Sequence, residues 1–260
     1  YDADSDGEEG KYYVYKYNEI KNIKNNSNFF EINKKGNWEG KIILKEITPP
    51  TTDVIESLKN IRKKKNKPFF DSKTQLDLNC LWISSLIQAH EVIKDKSFLA
   101  DAELLFSKIE TFFLDGNLYH SNSKSSVFLE DYSYLIQCLL DLHDQTLNAH
   151  YKLKAIELTK VCITQFYNKE KNIFQKNKIN SNDLFIIPID ISDHTIPNGN
   201  SIMLKNFIRL KYMDEAKKLS TSINGYLNIY KSHMVSSLKS LDYLNEVLSG
   251  KNCKEDGCTI

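Results

Sequence analysis

A mainly α protein built from helical hairpins is the fold this chain predicts, and three observations carry the prediction. From residue 52 onward apolar residues recur at helical spacing, most clearly at Leu78, Leu81, Trp82, Leu86, Ala89 and Val92. The loops between periodic stretches are short and glycine is scarce, with 9 in 260 residues, so successive helices are expected to pair antiparallel. Helix pairs recur at a period of roughly forty residues, without an exact sequence repeat.

Taken in order, residues 11 to 47 read as short strands and turns, marked by Tyr12-Tyr13-Val14-Tyr15, the polar turn Asn25-Asn26-Ser27-Asn28 and Ile42-Ile43-Leu44. Thr52-Asp53 caps a helix through about Lys65, and a second runs from Asp77 to Lys94. Further helices are expected at about 97–114, 129–146, 149–168, 199–210, 213–223 and 230–249. The stretch from Asn172-Ile173-Phe174-Gln175 to Ile186-Ile187-Pro188-Ile189 breaks this rhythm. Its β-branched residues and proline disfavour a helix and suggest a small β-hairpin.

Composition describes a folded body: 41% hydrophobic and 11% aromatic residues with a formal net charge of +1. That length and apolar content can bury a sizeable core. No run approaches the apolar length of a membrane-spanning helix. Near-zero net charge argues against nucleic acid as a partner, and the basic run Lys59 to Lys67 lacks interleaved aromatics and reads as a solvated helix end. Five cysteines, an odd number and widely spaced, favour reduced thiols and a cytoplasmic setting.

The opening run Asp2-Ala3-Asp4-Ser5-Asp6-Gly7-Glu8-Glu9-Gly10-Lys11 concentrates carboxylates that repel one another, so it needs a cation, a basic partner or full solvation. Asp2, Asp4, Asp6 and Gly7 match the first half of a calcium loop. Its closing position is Tyr13 rather than Glu and a strand pattern follows where a helix is required, so a solvated acidic turn shaped by Gly7 and Gly10 is the expectation. No His-x-x-x-His or mixed Cys/His spacing suggests zinc, so neither metal nor cofactor is expected. In the loop Asp193-His194-Thr195-Ile196-Pro197-Asn198-Gly199-Asn200-Ser201 the asparagines and Ser201 can cap the following helix. His194 and His120 have the right ordinary pKa for proton transfer but no partner in the sequence.

Four blocks in order resemble the YyaL-like family, also called spermatogenesis-associated thioredoxin-domain proteins. They are Asp2-Ala3-Asp4-Ser5 through Lys11 with Tyr13-Val14; Trp38-Glu39-Gly40-Lys41-Ile42-Ile43-Leu44; Phe128-Leu129-Glu130-Asp131-Tyr132-Ser133-Tyr134-Leu135-Ile136; and Pro197-Asn198-Gly199-Asn200-Ser201. The resemblance implies a partial (α/α)6 toroid of helical hairpins with short β-hairpin insertions, related to six-hairpin glycosidases and sugar epimerases. It implies residues 1–250 as one toroid fragment that starts inside the domain, and 251–260 as a flexible tail with Cys253 and Cys258. The family's thioredoxin-like domain and its Cys-x-x-Cys motif are not in this chain.

The same resemblance implies a sugar site at the toroid mouth. Glu130 or Asp131 would be the general acid or base, Asp193 the second carboxylate and Tyr132 a donor to a sugar hydroxyl. Asp4, Asp71, Lys73, Asn79 and Asn200 would complete the substrate contacts. Asp71-Ser72-Lys73 departs from the family's Asp-Asp-Lys block, and Leu78 and Cys80 stand where it has Trp and Gly, which removes a carboxylate and a stacking surface. The other expectation is a catalytically silent scaffold for a thioredoxin-like domain or a protein client.

Overall fold

The computed structural model describes residues 1–114, 117–179 and 184–250, together with the backbone of 253–254 and 257–258. It divides into two compact units, Tyr1–Ser72 and Lys73–Ile260.

In the first unit the acidic run forms a hairpin of β1 (Asp4–Ser5) and β2 (Glu8–Glu9). Its two turn residues, Asp6 and Gly7, have φ of 53° and 74°, the mirror-image turn that suits strand twist. Basic partners answer the carboxylates: Lys11 lies 3.1 Å from Glu8 and 3.5 Å from Asp6, and Lys41 lies 2.9 Å from Glu8. Hydrogen bonds from Lys41 and Lys11 hold Glu8 below the usual carboxylate range. The aromatic alternation at residues 12–15 predicts a strand, but only Tyr15 pairs, with Ile42. Gly10, at φ 71°, instead turns the chain so that its carbonyl accepts from the Tyr13 and Val14 N–H groups. Helices α1 (Tyr17–Ile20), α2 (Asn26–Phe29) and α3 (Thr52–Lys63) follow. Tyr15, Ile20, Phe30, Ile42, Val54 and Leu58 form this unit's small core.

The second unit is helical. It contains α4 (Leu76–Ile93), α5 (Lys96–Ile109), α6 (Leu129–Thr146), α7 (Ala149–Phe166), α8 (Gly199–Arg209), α9 (Met213–Tyr230) and α10 (Val235–Leu248). α4, α6, α8 and α10 stand side by side in sequence order, and α5, α7 and α9 pack as partners of α4, α6 and α8. This is the layering of helical hairpins in an α/α toroid. α6 lies at the centre, with every residue from Asp131 to Leu140 buried. Two small devices hold α8 against it. A Cβ on Gly199 would come within 2.7 Å of Leu129 Cγ, and Asn206 Nδ2 donates to the Ser133 carbonyl at 2.9 Å.

Between the helices lie short β-hairpins: β3 (Phe113–Leu114) with β4 (Asn117–Leu118), and β5 (Tyr167–Asn168) with β6 (Ile173–Phe174). The first takes over where the sequence predicts α5 to continue, because aromatic residues there favour a strand. The second pairs Ile173–Phe174 backward onto the end of α7 rather than forward onto 186–189, with Ile173 and Phe174 wholly buried. β7 (Cys253–Lys254) pairs with β8 (Gly257–Cys258), and the rest of the expected tail 251–260 lies outside the described residues.

Two further expectations are corrected. α4 buries Leu76, Cys80, Ile83, Ser84 and Ile87, and leaves Leu78 and Trp82 largely exposed, so its core face is rotated from the one the apolar spacing suggests. The helix expected over 213–223 runs on to Tyr230 as α9, since Gly225 keeps a helical backbone at a tolerable cost.

Candidate functional site at the inner-helix mouth

The chain gathers the N-terminal ends of α4, α6, α8 and α10 into one mouth by tying loops to helix starts. The Leu76 N–H donates to the His120 carbonyl at 2.8 Å, and the Leu129 N–H to the Lys176 carbonyl at 3.0 Å. Tyr134 Oη donates to the Pro197 carbonyl at 2.8 Å. Asp193 accepts from the Ser236 N–H at 2.7 Å and from both nitrogens of Asn198, whose own Oδ1 caps α8 through Ser201. A cavity of about 540 Å³ opens here, lined by Gln75, Asp77, Leu78, Phe128, Glu130, Lys176, Asp190, Ser192 and the loop from His194 to Asn198.

Three carboxyl groups line that cavity in different environments. Glu130 is mostly buried, which pushes its carboxyl up, and its Oε2 is buried with no hydrogen-bond partner among the described residues. Asp77 is raised by burial first and by the charge of Asp131 second. Asp190 stands 3.2 Å from the Lys176 ammonium and 3.4 Å from His194 Nε2. A carboxyl whose pKa burial raises, sharing a cavity with one that faces a lysine, is an arrangement that acid–base chemistry can use.

Behind the cavity a buried network steadies the mouth. Asp131, fully buried, takes the His120 Nδ1 hydrogen at 2.9 and 3.1 Å and the Phe128 N–H at 2.8 Å. The hydrogen bond to Asp131 raises His120 above its ordinary value, against the opposing effect of burial. His120 Nε2 meets Gln75 Nε2 at 3.1 Å. Asp77, His120 and Asp131 bring one ligand-type atom each to within 4.8 Å of one another. In this structure the His120 and Asp131 atoms bond to each other, and Asp131 also accepts from the Phe128 N–H.

Of the residues singled out by sequence, Glu130 lines the cavity and Asp131 lies behind it. Asp193 does not line it and spends both oxygens holding the 193–198 loop to α10. Tyr132 is buried with its hydroxyl 3.5 Å from Gln165 Oε1, and burial pushes that hydroxyl up to about 12. Asn200 is wholly buried and bonded to Phe174 and to the Asp190 carbonyl, so it anchors β6 and positions Asp190. Asn79 donates to the Gln75 carbonyl at 2.6 Å. Lys73 is exposed at the start of this unit. Asp4 and Asp71 belong to the first unit, both exposed. Sequence reading missed Gln75, Asp77, Lys176 and Asp190. Asp77 and Gln75 look like ordinary helix-start residues, and Lys176 and Asp190 flank a segment whose only signal was broken helical rhythm.

No protein-family model matches the chain. Over 182 residues it is 28% identical to the uncharacterized protein B0495.5 of Caenorhabditis elegans, a stretch that makes up 65% of this chain and 25% of that protein. Among solved structures it is similar to a glycoside hydrolase family 76 mannosidase of Bacteroides thetaiotaomicron, with TM-score 0.52, 14% identity, and 67% of this chain and 56% of that one covered. A family 76 α-mannanase of the same bacterium gives TM-score 0.56 at 15% identity, with 72% of this chain and 56% of that one covered. The chain thus spans a quarter of the relative's length and 56% of each structure. At such identities the likeness is one of fold, an α/α toroid of helical hairpins.

Proposed function

We propose that the mouth of the helical unit is a saccharide site of the glycosidase or epimerase type, with Glu130 as its proton donor. The observation that carries this reading is the Glu130 carboxyl, buried and unpartnered at Oε2 in a cavity that Asp77 and Asp190 also line. An unsatisfied buried carboxyl costs stability, so a structural role leaves its retention without a cause. Asp190, which faces Lys176, takes the place expected for Asp193 as the second carboxyl, and Asp131 acts through His120 rather than on substrate. Phe128, Leu78 and Pro197 supply an apolar wall against which a sugar ring can rest. The likeness in fold to mannan-cleaving enzymes and the resemblance to the YyaL-like family both agree with a saccharide ligand. The thioredoxin connection rests on that resemblance alone.

The test is calorimetric binding and turnover on the whole chain with neutral mono- and oligosaccharides, α-1,6-mannooligosaccharides included. We expect saturable binding that Asp190→Asn weakens about tenfold, and turnover that Glu130→Gln abolishes while leaving the protein folded. Failure of a folded chain to bind any saccharide in the panel defeats the proposal.

A further inference from the structure

We infer that Gln75 decides which hydrogen-bonding edge the cavity offers a ligand, and that His120 sets which way the Gln75 amide faces. The geometry admits one consistent assignment. An ionised Asp131 is acceptor-only, so the hydrogen between it and His120 sits on Nδ1. A neutral imidazole then leaves Nε2 as an acceptor, and the Gln75 atom facing it at 3.1 Å is the amide nitrogen. With its NH2 group committed to His120, Gln75, which lines the cavity, has its Oε1 left as an acceptor for a ligand. Protonation of His120 places a hydrogen on Nε2 and sets two donors against each other. A half-turn of the Gln75 amide relieves the conflict and exchanges acceptor for donor at the cavity.

The groups facing His120 make such protonation accessible. Asp131 and Glu130 act on it from α6 and Asp77 from α4, all three favouring the imidazolium, with burial opposing them. Histidine titrates near neutrality even unperturbed, so the exchange falls in a biologically usable range. Hydroxyl groups suit either edge. A ligand group that only donates, such as the ammonium of an amino sugar, fits the neutral state, and one that only accepts, such as an N-acetyl carbonyl, fits the protonated state.

The amide state can be read without any ligand. On the whole chain, nitrogen–proton correlation spectra of the imidazoles and side-chain amides are recorded from pH 5 to 9. We expect the Nδ1–H tautomer of His120 at the alkaline end, and Gln75 amide resonances that titrate with the His120 midpoint. The Gln75→Glu variant should move that midpoint upward, and Gln75→Leu should leave the Nδ1–H tautomer in place. An Nε2–H tautomer at pH 9, or Gln75 resonances that ignore the His120 titration, overturns the inference. The consequence for ligand choice rests on the saccharide reading. The affinity ratio of glucosamine to N-acetylglucosamine should rise about three- to tenfold across the His120 midpoint, the worth of one hydrogen bond. If neither these sugars nor any saccharide of the panel binds while the spectra behave as expected, the saccharide reading falls and the Gln75 switch stands. A ratio that is flat with both sugars bound removes Gln75 from ligand choice.

Discussion

Glu130 and Asp131 are neighbours in sequence with opposite characters, because one turn of helix sends them to different surroundings. Glu130 has its pKa raised in the folded state, chiefly by burial. Its favourable contribution is therefore fully present below the pKa of the unfolded chain and lost as pH rises through the folded value. We predict that Glu130→Gln raises the unfolding temperature at pH 8 and leaves it nearly unchanged at pH 4, while ending turnover. A lower unfolding temperature at pH 8 would assign Glu130 a structural bond that the geometry lacks. Asp131, unlike Glu130, is hydrogen-bonded through both oxygens. Asp131→Ala should cost about 3 kcal/mol in denaturant unfolding, the order expected for breaking a buried pair, rather than the few tenths of a helix-dipole contact. His120 adds a pH signature of its own. Its folded pKa is raised, so the pair's contribution should fade as pH climbs through and beyond the ordinary histidine range, a loss absent in His120→Gln.

At the scale of elements, the mouth depends on how closely α8 meets α6. Gly199 sits where a side chain would collide with Leu129, which is itself wholly buried and has little room to yield. Gly199→Ala should cost about 1–3 kcal/mol by overpacking and should also disturb Asn198 and Pro197 at the cavity wall. Unfolding measurements and the Tyr134-to-Pro197 contact together check this, and an Ala variant as stable as the parent would show that the helices part without strain. Farther along the same interface, Arg209 of α8 bonds Asp141 at 2.6 Å and Asp144 at 2.8 Å on α6, and Ser84 of α4 also donates to Asp141. Three inner helices are thus pinned at both ends, which keeps the carboxyl groups of the mouth in fixed relation. α4 illustrates how a pattern misleads. Its exposed Leu78 and Trp82 mimic a core stripe, while Ser84 occupies the buried side, where Asp141 accepts its hydrogen bond.

For the molecule as a whole, the extensive core of the second unit contrasts with the six-residue core of the first. Residues 73–250 produced alone should therefore unfold cooperatively and keep the mouth, whereas 1–72 alone should be marginal, as domains with small cores are. Denaturant unfolding of the two pieces checks this, and a non-cooperative transition for 73–250 would count against its independence. Among the described residues no helix is long and apolar enough to cross a membrane. The sequence by itself determined the helices from residue 52 onward and most of their ends, because periodicity, the Asn198 cap and short loops are local and repeat along the chain, whereas α1 and α2 lie in the stretch read as strands and turns. It also singled out Glu130 and the 193–201 loop, and Glu130 and residues 194–198 line the cavity. What only the tertiary structure decided is which polar groups share a cavity. Gln75, Asp77, Lys176 and Asp190 meet Glu130 from separate segments, and Asp193 and Asn200 turn away from it into buried hydrogen bonds. Helix formation is settled within a few turns of chain, but whether a carboxyl is a cap, an anchor or an acid depends on the burial and charges that distant segments bring to it.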